Sequence, residues 1–155
     1  MTISRSRQLV EDHPNFNVHE FKNVDRLNPM ILRLIFNLRE WLGLSMHIHS
    51  DFRQGDSGQH GKGNAIDFSI RSIPYSQAIL RLEEWLKRPA EIDGEIILPE
   101  TYCGFGLYPY WNNPGFHLDC RGARGRWAFD NSSPVKMISY QQGRDIAFAR
   151  VAKQG

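Results

Sequence analysis

Apolar residues recur at helical spacing in two long stretches of the chain. In the first stretch, Asn28 is a good N-cap, Pro29 suits the first helical position, and Gly43 is a typical helix terminator. The second stretch carries an apolar stripe bounded by prolines. The pattern therefore predicts amphipathic helices over about 27–42 and 75–88.

Alternation of polar and apolar residues predicts strands with one buried face at 45–50, 65–70 and 115–120. Residues 1–20 are polar and mixed, and they predict an irregular arm. Neither a repeat nor a linker divides the sequence. We therefore predict a single α+β domain spanning residues 1–155.

Composition and charge exclude several classes of function. The net charge of +2 over 155 residues is too small to argue for nucleic acid as a partner. No apolar run approaches the roughly 20 residues that a membrane span needs. Residues 1–12 contain no apolar signal-peptide core, so we expect synthesis in the cytoplasm without a secretory signal. Cys103 and Cys120 make no disulfide framework and are expected to be free buried thiols.

The glycine-rich stretch from Ser57 to Asp67 has the clearest chemical character, with His60 seven residues before Asp67. Imidazole and carboxylate are common zinc ligands, and glycines let the backbone pass close to a bound ion. The same pattern also fits a turn with a capped carboxylate. A second cluster favours the metal, because His117 and Asp119 alternate along a predicted strand and would point off one face.

Three further features lie near these clusters in the sequence. Arg53, at the end of a predicted strand, could bind a carboxylate, stabilise an oxyanion, or be an ordinary surface arginine. Tyr108 and Trp111 belong to an aromatic, glycine-rich stretch that could line a substrate groove or form a corner of the sheet. For His47 and His49, two polar residues on a solvated face are favoured over a metal-binding pair.

The order of these residues resembles the zinc D,D-/L,D-peptidases of the D-alanyl-D-alanine carboxypeptidase and endolysin group, whose metal core the Hedgehog signalling domain shares. The family pattern Ser-x-x-Arg is present at 50–53, and Ser-x-x-His-x-x-Gly-x-Ala-x-Asp is filled at every position of 57–67. Residues 104–127 come close to the later part of the family pattern. The resemblance covers about 15–128 and leaves 129–155 as a C-terminal extension.

The resemblance implies that His60, Asp67 and His117 bind one Zn²⁺ and leave a position open for water. Arg53 would then act in catalysis, near the scissile carbonyl or a substrate carboxylate. Contacts with the substrate are expected from Ser57, Tyr108 and Trp111.

The resemblance leaves the proton acceptor open. Some members of the family carry an acidic base three residues before the last histidine ligand, where this chain has Pro114. Others carry a histidine two residues before it, where this chain has Gly115. Asp119 is the remaining candidate for the catalytic base, on the same predicted strand and face as His117. In the alternative assignment, His117 is the base and Asp119 is the third ligand.

We expect a small, mostly antiparallel sheet that carries the zinc site on one face, with the helices packed on the other. The implied function is that of a zinc metallopeptidase, a carboxypeptidase or endopeptidase that cuts the stem peptide or cross-bridge of bacterial peptidoglycan. A phage lysin or virion-associated enzyme would reach the cell wall after lysis or as part of a virion. The alternatives are a catalytically inactive zinc-fold component of a larger particle, with 129–155 docking a partner, and a generic metal-binding module.

Overall fold

The computed structural model describes residues 3–154, without the side chains of 151–154. The helices in this part of the chain are α1 (Arg5–Glu11), α2 (Pro29–Leu42), α3 (Tyr75–Leu86), α4 (Pro99–Tyr102) and α5 (Tyr140–Gln154). The strands are β1 (His47–Ser50), β2 (Ala65–Ser69), β3 (Ala90–Ile92), β4 (Glu95–Ile97), β5 (Gly104–Tyr108), β6 (Gly115–Asp119), β7 (Gly125–Phe129) and β8 (Met137–Ile138). Among the described helices, none has the length and apolar character that crossing a membrane requires.

Six strands form one sheet in the order β1-β2-β6-β5-β7-β8, and β3 and β4 form a separate hairpin. The prediction of an α+β fold is confirmed. The sheet is mixed and not purely antiparallel, because β5 and β7 pair in parallel while the other neighbours are antiparallel. The loop 120–124 explains the exception: it carries the chain from the end of β6 past the start of β5, where β7 begins.

Helix α2 ends where the sequence predicts. The Asn28 side chain accepts a hydrogen bond from the backbone N–H of Met30, and Gly43 closes the helix in the left-handed conformation with φ of 68°. The helix begins at Pro29, the first helical position expected after the Asn28 cap and two residues inside the approximate range 27–42, and residues 24–26 form a separate 3-10 turn before the cap.

The hydrophobic core lies between the helices and one face of the sheet. Strand residues such as Ile66 and Leu118 are buried in the same cluster as Leu34 of α2. Full burial of such a side chain contributes roughly 1.5–3 kcal/mol. Because side chains alternate along a strand, Asp67 and His117 point to the opposite face. The sheet thus separates the apolar core from the polar site.

The N-terminal arm is more regular than its polar sequence suggests. Residues 5–11 form α1, and the Ser6 hydroxyl donates a hydrogen bond to the Leu27 carbonyl just before α2. The prediction of an irregular arm is therefore wrong for this segment. Ser6 and Val10 are its buried residues, and so few inward positions leave no apolar periodicity to detect.

The described part of the C-terminal extension packs against the rest of the fold. Strand β8 pairs with β7, and α5 contacts β5, β7 and α3. The Tyr140 hydroxyl and the Arg144 guanidinium both donate to the Glu83 carboxylate of α3, at 2.7 and 2.9 Å. Residues 129–150 therefore belong to the packed domain, next to β5, β7 and α3.

Gly143→Leu is expected to lower the free energy of unfolding by about 1–3 kcal/mol, because any Cβ at 143 would overlap the Cβ of Ala128 and overpack α5 against β7. Urea unfolding followed by circular dichroism measures the change. Ala149→Leu adds the same side chain at an exposed position of the same helix and should change stability by less than about 0.5 kcal/mol. Equal stability of the two variants would contradict this packing.

Candidate metal centre

The register of the sheet brings the predicted metal ligands together on one face. Asp67 of β2 lies opposite His117 of β6, which in turn lies opposite Gly106 of β5. His60 comes from the 3-10 turn Gln59–Lys62, which precedes β2. The three residues are buried, and each offers one donor atom within 4.8 Å of the others. They could therefore hold one metal ion.

Close backbone packing fixes the loop that carries His60. Gly63 ends the 3-10 turn in the left-handed conformation with φ of 73°, and a Cβ at this position would overlap the carbonyl of Arg26. The Gly63 carbonyl also accepts a hydrogen bond from the N–H of Asn28, at the cap of α2. The glycine therefore lets this loop lie against the segment before α2, which fixes the position of the imidazole.

Each imidazole has one ring nitrogen engaged and the other directed at Asp67. The Nδ1 of His60 donates to the Asp51 carbonyl at 2.6 Å, so that Nε2 is the lone-pair nitrogen of the neutral ring. This Nε2 is buried, lies 3.2 Å from the Asp67 carboxylate, and has no hydrogen-bond partner among the described residues. In His117, Nε2 lies 2.7 Å from the Asp119 carboxylate and Nδ1 lies 3.0 Å from Asp67. Hydrogen bonds of this kind orient metal-binding histidines.

The donor set fits a zinc-like divalent ion. Two imidazole nitrogens and one carboxylate are the protein ligands of many catalytic zinc sites, which keep a fourth position open. The distances of 3.0 and 3.2 Å from the Asp67 oxygens to the two ring nitrogens are close to the roughly 3.4 Å between ligands around tetrahedral zinc. The unpartnered buried nitrogen of His60 carries a desolvation cost that a bound ion would offset.

Without a metal, His117 shares its ring protons with the carboxylates of Asp67 and Asp119 through hydrogen bonds. Burial raises the pKa of Asp67, but its contacts with His117 and His60 outweigh burial and lower that pKa to about 2. Burial lowers the pKa of His117, but hydrogen bonds with Asp119 and Asp67 outweigh burial and raise it. His117 therefore holds a proton on both ring nitrogens below this raised pKa, and a metal must displace the proton on Nδ1.

Metal binding is expected to release a proton and to strengthen with rising pH. Below the raised pKa of His117, a proton competes with the metal for Nδ1, so affinity should increase up to about tenfold per pH unit and level off above that pKa. Calorimetric titration in two buffers with different ionisation enthalpies counts the protons released. Equal affinity at about pH 5 and about pH 8 would contradict this competition.

Asp119 lies next to His117, outside the lining of the cavity that the three ligands share. Its buried carboxylate accepts hydrogen bonds from the Arg121 guanidinium through both oxygens, at 2.9 and 2.7 Å, and from the backbone N–H groups of Gly104 and Arg121. Burial raises the pKa of Asp119, but the Arg121 and His117 hydrogen bonds hold it far below its usual range. Such a carboxylate is suited to orient His117 and is a weak acceptor for another proton. The geometry thus favours a positioning role over the expected roles of base or third ligand.

A cavity of about 930 Å³ lies over the cluster, and Arg53, Tyr108 and Trp111 help to line it. Arg53 is half exposed, with Nη2 3.4 Å from Asp67. The Tyr108 hydroxyl donates to Asp67 at 3.1 Å, and the Trp111 ring stacks on Tyr108 with centroids 4.0 Å apart. Ser57 is exposed and lies outside the lining. The structure therefore places the expected Arg53, Tyr108 and Trp111 at the site, and Ser57 beside it.

Glycines on β5 and β6 make room for the aromatic rings of the site. A Cβ on Gly106 would lie 2.7 Å from the indole nitrogen of Trp127, and one on Gly115 would lie 2.7 Å from the Trp111 ring. Trp127 consequently lies beside His117, with ring centroids 4.9 Å apart. The aromatic, glycine-rich stretch is thus part of the sheet and part of the groove lining at once.

Sequence reasoning misses several residues of the cavity. His49 is predicted on a solvated face, and this is wrong: it is half-buried, lines the cavity, and lies 2.8 Å from the Ser69 hydroxyl. His47 is exposed as predicted. The extension adds a further wall, including Phe129 and Val135. Regular alternation gives no signal for His49, because the register of β1 shifts at this residue.

Comparison with known proteins adds no family to this picture. No protein-family model matches the chain, and neither a curated protein nor a solved structure matches it. The observations that bear on function are therefore the motif spacing and the buried His60, Asp67 and His117 group, which could hold a metal ion in the lining of a large cavity.

Proposed function

We propose that this protein is a zinc-dependent peptidase that cleaves a peptide bond in bacterial peptidoglycan, in the stem peptide or the cross-bridge. The observation that carries the proposal is the convergence of His60 Nε2, His117 Nδ1 and the Asp67 carboxylate in the lining of an open cavity. A structural zinc site is closed by four protein ligands, whereas a catalytic site keeps one position open. The resemblance of residues 57–67 to the zinc peptidase motif supplies the reaction class and the substrate.

Zinc held by these residues would lower the pKa of a bound water and polarise the scissile carbonyl. Arg53 retains free donors, because its contacts with Asp56 and Asp67 are long, at 3.8 and 3.4 Å. Its guanidinium is suited to bind a substrate carboxylate or the carbonyl oxygen as negative charge develops. Burial and the neighbouring Asp67 hold the pKa of Tyr108 far above its usual value, so its hydroxyl remains a neutral hydrogen-bond donor.

The cavity has room for a short peptide. Its volume of about 930 Å³ lies at the upper end of the roughly 300–1,000 Å³ that ligand sites occupy. Arg53 and Arg121 supply positive charge next to the metal ligands, while Tyr108, Trp111 and Phe129 supply aromatic surface. This arrangement of positive charge and aromatic surface suits a peptide with free carboxylates, such as a peptidoglycan stem peptide. Its scissile carbonyl would lie next to the metal ligands. The biological setting that we propose is a phage lysin or virion-associated enzyme.

The alternative function is a zinc-binding domain without turnover, serving as a structural component of a larger particle. The observation that favours it is the engagement of Asp119, whose two carboxylate oxygens both accept hydrogen bonds already. If Asp119 is not the base, catalysis depends on another proton acceptor at the cavity.

Digestion of purified peptidoglycan tests the choice between the two functions. The zinc-loaded protein is incubated with walls of several cross-bridge types, and released muropeptides and new amino groups are followed by mass spectrometry. We expect peptide-bond cleavage that is lost in His60→Ala and retained in His47→Ala, which removes an exposed imidazole outside the cavity. One zinc per chain without product from any wall type would reject the peptidase and leave the structural function.

A further inference from the structure

We propose that His49 is the proton acceptor of the peptidase reaction, an inference that rests on the proposed function. It addresses a gap in the site, where the metal ligands, an arginine and a tyrosine donor leave the proton acceptor unassigned.

An irregularity in β1 sets the position of His49. Ile48 pairs with Phe68 and Ser50 pairs with Asp67, so two steps along β1 match one step along β2 and His49 is the extra residue. Bulges of this kind redirect a side chain and are frequent next to active sites. The His49 ring reaches Ser69, with Nε2 2.8 Å from the hydroxyl oxygen.

Ser69, the hydrogen-bond partner of His49, lies close to the metal ligand Asp67 along β2. Ser69 follows Asp67 by two residues on the same face of β2, which is about 7 Å along a strand. The His49 ring also meets the edge of Trp111 at 5.2 Å, and Trp111 stacks on Tyr108, whose hydroxyl bonds Asp67. The imidazole and the three ligands line the same cavity. His49 is therefore within reach of the reacting carbonyl group, directly or through one water.

The surroundings keep the His49 imidazole neutral and oriented. Burial lowers its pKa, and the positive charge of nearby His47, Arg71 and Lys22 lowers it further, against the opposite effect of Asp67. With Nε2–H donating to the Ser69 hydroxyl, Nδ1 becomes the lone-pair nitrogen, and Nδ1 makes no hydrogen bond with the described residues. A base held by a third group in this way is the usual arrangement for proton abstraction.

The carboxylates around the cluster are otherwise engaged. Asp119 is bound by Arg121, His117 and two backbone N–H groups, as described above. Asp56 accepts from the Gly58 N–H at 2.6 Å and holds its own loop. Asp130 accepts from the backbone N–H groups of Ser132 and Lys136 and closes a turn. Asp56 and Asp130 hold their loops through Oδ1 alone. His49 differs from them in its place on the bulge of β1, where Ser69 and Trp111 hold its ring.

His49 takes up one proton and returns it within each turnover. The attacking water adds its oxygen to the scissile carbonyl carbon and gives one proton to Nδ1 of His49. The C–N bond then breaks, its electron pair goes to the leaving nitrogen, and Nδ1 returns the proton to that nitrogen. One water is consumed, one carboxylic acid and one amine form, and the imidazole is neutral again.

The test compares His49→Ala and His49→Gln with the control His19→Ala, which removes an exposed imidazole outside the cavity. All three variants should fold and bind one zinc. Turnover should fall by about 10²–10⁴-fold in both His49 variants and remain near wild type in His19→Ala. Free imidazole should restore part of the turnover to His49→Ala, which has room for it. The acidic limb of the kcat profile against pH should disappear with His49.

A measurement apart from activity accompanies these assays. In the zinc-loaded wild type, the His49 ring is titrated by nuclear magnetic resonance, and its pKa should match the acidic limb of the kcat profile. A wild type that digests peptidoglycan while His49→Ala keeps most of its turnover would overturn the role of His49 alone. The same holds if imidazole gives no rescue and the acidic limb persists in the variant. A zinc-loaded wild type that releases no product would reject the proposed function, and the inference with it.

Discussion

Asp67→Asn is expected to weaken zinc binding by about 10²–10³-fold. Zinc sites with four protein ligands bind with about 10–16 kcal/mol, so one ligand is worth roughly 3–4 kcal/mol, which corresponds to that factor. Asp67 is the anionic ligand between two imidazoles, with oxygens 3.0 and 3.2 Å from His117 and His60. An asparagine keeps the shape of the side chain but lacks the charge.

Competition with a chromophoric zinc chelator measures this loss, and circular dichroism reports whether the variant folds. Asp56→Asn is the matched control, because it removes one carboxylate from the lining of the same cavity at a residue that is not a ligand. Its zinc affinity should stay within about threefold of wild type. Wild-type affinity in Asp67→Asn would show that the ion binds elsewhere.

Asp119→Asn separates the two roles that the sequence and the structure suggest for this carboxylate. If Asp119 orients His117, zinc affinity should fall by about 10–100-fold, and most of the turnover should return when zinc is saturating. If Asp119 is the catalytic base, zinc affinity should be unchanged and kcat should stay about 10²–10⁴-fold low at saturating zinc. The structure favours the first outcome, because both oxygens of Asp119 already accept hydrogen bonds.

Arg121→Lys provides the companion variant for this test. Lysine keeps the charge but cannot donate two parallel hydrogen bonds to Asp119, which the Arg121 guanidinium does at 2.9 and 2.7 Å. We expect zinc affinity to fall in the same direction as in Asp119→Asn, by a smaller factor. Loss of turnover without any loss of zinc affinity in both variants would contradict a positioning role.

The sequence predicts those parts of the fold that depend on local signals. The N-cap at Asn28 and the left-handed Gly43 define α2 through contacts within a few residues, so both are visible in the sequence. The parallel pairing of β7 with β5 is not visible, because it depends on the path of the loop 120–124 across the sheet. Helix α1 is also hidden, because tertiary contacts such as Ser6 with Leu27 hold it and not apolar periodicity.

The contrast between local signals and long-range contacts also applies to the site. His60, Asp67 and His117 come together as predicted, because strand alternation and a spaced motif encode which face each side chain occupies. The surroundings of Asp119 and the inward position of His49 are not encoded in this way. They depend on cross-strand partners and on a bulge, which no spacing within a single strand reveals.

The separation of the ligands along the chain has a consequence for biosynthesis. His117 follows Asp67 by 50 residues, and the strands β7 and β8 that complete the sheet come later still. A nascent chain emerging from the ribosome thus presents only isolated imidazoles and carboxylates, which bind zinc weakly. Bringing such distant residues together is slow relative to forming local helices. Metal uptake would accordingly mark the completion of folding, and a metal ion would be captured by folded molecules in preference to intermediates.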